Sequence, residues 1–122
     1  MRVWGFAATP ELQERWFEVY RQLPYGPDGD LRMFVGYLAG TPVATCYLLL
    51  TGGVAAVHHV VTAAPHRRRG IGAALTDAVI RHARDSGCRI AVLTASPHGI
   101  NIYRRLGFRE CCVVGTYEWH CT

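Results

Sequence analysis

The stretch His66-Arg67-Arg68-Arg69-Gly70-Ile71-Gly72-Ala73 decides how this chain is organised. Three arginines precede two glycines one residue apart, and Ile71, Ala74, Leu75, Ala78, Val79 and His82 then recur at helical spacing. The stretch is a glycine-rich turn opening a helix. A helix N-terminus already carries about half a positive charge, and here arginines crowd that end. No Ser, Thr, Asp or Asn stands directly before Gly70 as a cap, and the first acid inside the helix is Asp77. An anion belongs there: a phosphate or pyrophosphate would accept the first-turn N–H groups and neutralise the arginines, while the glycines permit close approach. Out of context, the arginine run also reads as a solvated basic patch.

Outward from the turn, the chain reads as alternating elements. Upstream, Leu31 to Leu38, Val43 to Leu50 and Val54 to Thr62 are apolar runs of β type, separated by Ala39-Gly40-Thr41-Pro42 and Thr51-Gly52-Gly53. They predict an antiparallel meander. Before them, Thr9-Pro10 starts a helix with Leu12, Trp16, Val19, Tyr20 and Leu23 on one face, and Pro24 to Asp30 is a loop. Val3, Trp4 and Phe6 suggest a short edge strand within Met1 to Ala8. Downstream, the helix from Gly70 runs to Ser86 with Gly87 as its stop, and Arg89 to Thr94 follows as a strand. Strand, helix, strand implies a parallel crossover. Ser96-Pro97 then reads as the start of a short helix carrying Ile100, Tyr103 and Leu106, and Arg109 to Trp119 as a last strand kinked at Gly115.

Composition bounds the reading. The 122 residues suit one domain, 1–122, and half of them are hydrophobic, which excludes a disordered chain. The net charge of +4 comes from arginine alone. With three of the 13 arginines at one turn, the charge argues for a local anion site rather than a nucleic-acid face. Five cysteines without a C-x-x-C spacing imply neither a metal site nor a disulfide framework. No apolar run approaches membrane-spanning length and the N-terminus has no signal-peptide pattern, so the expected location is cytoplasmic, with no membrane partner.

Arg67-x-x-Gly70-x-Gly72 resembles the acyl-CoA-binding signature of the GCN5-related N-acetyltransferases, and Tyr103-Arg104-Arg105-Leu106-Gly107-Phe108 resembles that family's Tyr-x-x-x-Gly-Phe element. The resemblance covers about Leu31 to Phe108, and Leu93 to Gly99 is similar to a subset of bacterial members. Ala64 stands where members commonly have proline, Ser96 where many have asparagine, and the N-terminal region is short. The family implies an α/β (α+β) fold: a mixed, mostly antiparallel sheet with a central parallel strand pair splayed around acetyl-CoA, flanked by helices.

The resemblance also implies chemistry: transfer of the acetyl group of acetyl-CoA, the cosubstrate, to a primary amine by direct attack in a ternary complex. Val60, Val61 and Thr62 would offer backbone to the pantetheine arm as to an added strand. Arg67, Arg68, Arg69, Gly70, Ile71, Gly72 and Ala73 would cradle the pyrophosphate, with Arg68 or Arg69 alternatively on the 3′-phosphate or in solvent, and Ser96 and Gly99 join the cofactor set. Tyr103 is the group aimed at the departing sulfur. A phenol has a pKa of about 10 and a thiol of about 8.5, so hydrogen-bond stabilisation of the thiolate fits better than full proton transfer. For the amine's proton, His58 corresponds to a histidine of members that acetylate arylalkylamines. Adjacent His58 and His59 should face opposite ways on a strand, so one lines the cleft while the other packs. No acid lies between Leu31 and Asp77 to serve instead; Glu118, a water chain and a substrate-supplied base stay open. Trp16, Tyr25, Tyr117 and Trp119 either line an aromatic pocket or fill core. Many members are homodimers. The other functional reading is a catalytically degenerate acyl-CoA-binding sensor or scaffold.

Overall fold

The computed structural model describes residues 9–121; the edge strand expected within Met1 to Ala8 lies outside them. Helix α1 spans Pro10–Arg21, strands β1, β2 and β3 span Leu31–Leu38, Thr41–Thr51 and Val54–Thr62, and helix α2 spans Ile71–Asp85. Strand β4 is Ile90–Leu93 and helix α3 is Ile100–Arg105. The sheet order is β1-β2-β3-β4, antiparallel except for the parallel β3–β4 pair.

Local chemistry accounts for each boundary. Thr9 caps α1, its hydroxyl accepting from Leu12 N–H at 3.3 Å, with Pro10 in the first turn. The hairpin turns are Ala39-Gly40 and Gly52-Gly53, all four residues at positive φ, which matches the right-handed twist of the flanking strands. Pro42, expected in the first turn, instead lies inside β2. It faces Tyr37 beside the register shift at Gly36/Tyr37, where a missing N–H costs little. Gly87, at φ 92°, ends α2 as expected.

The core forms where α2 covers one face of the sheet. Cys46 and Leu48 of β2 and Ala55 and Val57 of β3 pack against Leu75, Val79 and Ala83 of α2. Leu48 and Val79 are fully buried, each contributing about 1.5–3 kcal/mol by leaving water. Arg32 of β1 ties this layer to the 24–30 loop: its Nε donates to Gly29 carbonyl at 3.0 Å, and its Nη1 lies 2.6 Å from His82 Nε2 and donates to Ser86 Oγ at 2.9 Å.

Two expectations fail near the C-terminus. Helix α3 starts at Ile100, not at Pro97: Ser96 carbonyl accepts from Gly99 and Ile100 N–H and closes a turn, and Gly99 rather than Ser96 occupies the N-cap. The strand expected over Arg109 to Trp119 does not form. That stretch makes no ladder, and Val113, Tyr117 and Trp119 are 99%, 94% and 85% exposed. A strand needs a partner edge, and without one its apolar side chains have nothing to bury against. No described helix is long and apolar enough to cross a membrane.

Candidate active site

The parallel pair opens in the middle of the sheet's longest-range junction. Its register runs from Val54↔Ile90 to Val57↔Leu93 and stops, while β3 continues to Thr62 paired only with β2. The backbone of residues 58–62 therefore has no β4 partner on that side. Such an edge accepts an extended ligand as it would a strand.

The glycine turn closes one end of this opening. After the short 3₁₀ turn Ala64–His66, Arg68 at φ 60° and Gly70 at φ 77° bend the chain into α2. Gly70 is the N-cap without a side-chain cap, and the first return bond is Ala74 N–H to Gly70 carbonyl at 3.0 Å. The N–H groups of Ile71, Gly72 and Ala73 thus lack intrahelical acceptors. Gly72 faces the end of β3: a Cβ there would stand 3.6 Å from Thr62 Oγ1 and 3.9 Å from Val60 Cγ1. Its carbonyl accepts from buried Thr76 Oγ1 at 2.8 Å. Arg67 Nε donates to Thr62 carbonyl at 2.9 Å, and Arg69 Nη1 lies 3.5 Å from His66 Nδ1, both arginines remaining exposed.

Between Thr45 and Tyr47 the β2–β3 register shifts, and His59 adopts φ 50°. This is a bulge: one extra residue in β3 takes the left-handed conformation. Its consequence corrects the expected alternation. Val57 and then Val60 face the core, while both histidines turn to Tyr47, His58 stacked at 4.9 Å and His59 edge-on at 5.2 Å. His59 Nδ1 also lies 3.4 Å from Tyr20 hydroxyl. Burial lowers the pKa of both rings, each staying neutral below the ordinary histidine value; in His59 the neighbouring His58 adds to the effect. A non-glycine residue at positive φ is backbone strain of the kind that gathers at functional sites.

Tyr103 approaches from α3. Its ring packs edge-on with Phe108 at 6.1 Å, its carbonyl accepts from Phe108 N–H at 3.0 Å, and a Cβ on Gly99 would stand 3.3 Å from the ring and 3.6 Å from Ser96 Oγ. Ser96, Gly99 and Tyr103 are thereby one cluster. Burial, and then the nearby Cys46 thiol, raise the Tyr103 pKa, so the phenol keeps its proton at neutral pH. Cys46 occupies the β2 position facing the bulge, and burial pushes its thiol up to about 12.

Several residues here had no motif to announce them. Tyr20 and Tyr47 meet at 6.0 Å, and Trp16 stacks on Tyr20 at 5.7 Å. The available signal was the i, i+4 spacing of Trp16 and Tyr20 and the alternation that turns Tyr47 away from core residues Cys46 and Leu48. Of the four aromatics read as either pocket lining or core, Tyr117 and Trp119 are neither, being exposed in the C-terminal stretch. Glu118 lies there too, facing His120 at 3.4 Å.

Comparison with known proteins adds a second line. The sequence profile described as "Acetyltransferase (GNAT) family" matches residues 3–108. A GCN5-related N-acetyltransferase from Ralstonia eutropha JMP134 is similar with TM-score 0.73 and 22% identity, over 92% of this chain and 82% of that one. Glucosamine-6-phosphate N-acetyltransferase from Arabidopsis thaliana gives TM-score 0.67 and 19% identity, over 97% and 83%. The AAC(6′)-Iy structure in complex with the bisubstrate analog CoA-S-monomethyl-acetylneamine gives TM-score 0.67 and 21% identity, over 98% and 85%. At these identities the structures share the fold.

Proposed function

The chain belongs to the GNAT acetyltransferase family, and we propose that it moves the acetyl group of acetyl-CoA to a primary amine by direct attack in a ternary complex. The observation that carries this is the opening of β3 from β4 beyond Val57 and Leu93, beside a helix end whose first N–H groups have no cap. An added strand and an anion site adjoin, which is what a pantetheine arm with a pyrophosphate requires.

On this reading Val60, Val61 and Thr62 hold the arm through main-chain groups. Ile71, Gly72 and Ala73 donate N–H groups to the pyrophosphate, and Gly72 leaves the space that a Cβ beside Thr62 would fill. Arg67 braces the turn against β3, while Arg68 and Arg69 supply positive charge at its rim. Ser96 and Gly99 shape the wall that holds Tyr103. The protonated Tyr103 phenol donates a hydrogen bond to the developing thiolate.

An alkylamine with a pKa of about 10 is almost wholly protonated at neutral pH, so the attacking species is the small free-amine fraction, its ammonium proton lost to solvent. The second proton, released on attack, needs an acceptor. His58 or its neighbour His59, both held neutral by burial, fills that role as the new C–N bond makes the nitrogen acidic. Bringing amine and thioester together supplies most of the rate.

Isothermal titration of acetyl-CoA, followed by mass-spectrometric detection of acetylated amines, tests the proposal. Micromolar binding with acetylated product supports it. Binding without any amine-dependent product would favour a sensor or scaffold, and no binding by folded protein would overturn the cosubstrate assignment.

A further inference from the structure

A histidine that accepts a proton at one ring nitrogen needs the other nitrogen fixed, because the hydrogen bond made there sets which nitrogen carries the lone pair. Among the described residues, His59 has that device and its neighbour does not. His58 lies flat on Tyr47, at 4.9 Å and 18°. His59 instead meets Tyr20 of α1 edge-on at 5.7 Å, with its Nδ1 3.4 Å from the Tyr20 hydroxyl. The bulge makes this contact: His59, at φ 50°, is turned out of the ordinary alternation of the strand and onto the helix.

Tyr20 is itself held. Trp16, one helical turn earlier, stacks on its ring at 5.7 Å and 28°, and Tyr47 of β2 lies against it at 6.0 Å. Packing from α1 and from β2 fixes where the phenol oxygen stands, so the contact with Nδ1 is set before any substrate arrives. A hydroxyl oxygen accepting from Nδ1–H leaves the lone pair on Nε2, and the same bond strengthens once Nε2 takes a proton and the ring becomes cationic. A hydroxyl donating to Nδ1 would do the reverse, since that bond is lost when Nδ1 is protonated.

We propose that Tyr20 is a positioning residue: by accepting from His59 Nδ1–H, it makes His59 Nε2 the proton acceptor for the attacking amine. The proposal rests on the amine-acetylating reading above. As the amine nitrogen bonds to the acetyl carbon, its second proton passes to Nε2 and the N–H electron pair stays on the nitrogen. His59 becomes an imidazolium held at Nδ1 by the Tyr20 oxygen. The titratable groups against His59 are Tyr20 of α1, Tyr47 of β2 and the adjacent His58. Burial and His58 oppose its charge, and the Tyr20 oxygen offsets part of that opposition.

Histidine-selective nitrogen NMR across pH reads the tautomer and titration of His59, whose signals are identified by their loss in His59→Asn; asparagine tolerates the positive φ there. The Nδ1–H tautomer is expected. Tyr20→Phe keeps the ring packing and should move the His59 titration to lower pH by about one pH unit. With an amine found acetylated in the mass-spectrometric screen, Tyr20→Phe should lower kcat about fivefold and leave KM for acetyl-CoA unchanged. It should shift the acid limb of the rate profile the same way, and have no further effect in the His59→Asn background. An Nε2–H tautomer, a titration moved to higher pH, or a Tyr20→Phe loss undiminished beside His59→Asn would overturn the proposal and leave the amine reaction standing. Binding of acetyl-CoA with no amine acetylated would overturn the reaction and the base assignment with it, while the NMR titration would still report whether Tyr20 sets the ring.

Discussion

Arg67 Nε and the carbonyl of Thr62 are joined by a 2.9 Å hydrogen bond that ties the glycine turn to the last residue of β3. The bond holds the anion-binding helix end against the open strand edge. Arg67→Ala should raise the Kd for acetyl-CoA about tenfold, the worth of one charge-assisted bond. Arg67→Lys should recover little of the loss, because an ammonium lacks the fork that reaches Thr62 while facing an anion. Calorimetric titration checks both.

Tyr103 keeps its proton because burial and the Cys46 thiol raise its pKa. Tyr103→Phe should therefore lower kcat by about 10²–10³ while leaving KM for acetyl-CoA near its original value, since the lost bond is made to charge that develops during reaction. Steady-state kinetics with a fixed amine measures the split.

The two histidines resist protonation in the folded chain, whereas an unfolded histidine titrates near 6.5. Below about pH 6.5 the unfolded chain takes up protons that the native fold refuses, so stability falls as pH drops through that window and levels off beneath the native pKa. Tm should decline between pH 7.5 and 5.5, and His58→Gln with His59→Gln should flatten that decline. A scanning calorimetry series against pH decides it.

Gly70 stands at φ 77° with open space around its missing Cβ, so conformation alone demands glycine there. Gly70→Ala should cost about 1–2 kcal/mol and lower Tm by several degrees. Gly72→Ala, with Cβ contacts no closer than 3.6 Å, should leave Tm nearly unchanged and weaken acetyl-CoA binding instead.

Cys46 is buried with its thiol pushed up to about 12, while Cys111, Cys112 and Cys121 are exposed. Iodoacetamide on native protein should label the three exposed thiols and spare Cys46 until denaturant is added. Peptide mass mapping reads the difference.

Much of the fold was legible because its signals are local. Thr9-Pro10 carries a helix start in its own side chains, Gly52-Gly53 carries a hairpin turn, and the arginine-glycine turn announces an uncapped helix end wherever it stands. β1, β3 and the parallel crossover follow from such signals and from period. Beyond the shifted boundaries at Pro42 and Ile100, three features did not follow, each because it depends on what lies across a gap in sequence. The strand expected over Arg109 to Trp119 has the composition of one, but a strand exists only with a partner edge. His58 and His59 should alternate by pleat, yet the register against β2 inserts a bulge, and a bulge is a property of two strands. The ring cluster of Trp16, Tyr20, Tyr47 and the histidines is assembled from a helix and two strands, and only the Trp16–Tyr20 pair within it has a spacing along the chain. The sequence by itself determined the helix end, the turns and the family resemblance; the tertiary structure alone decided which side chains face one another, because pairing and packing are made between segments that the chain only later brings together.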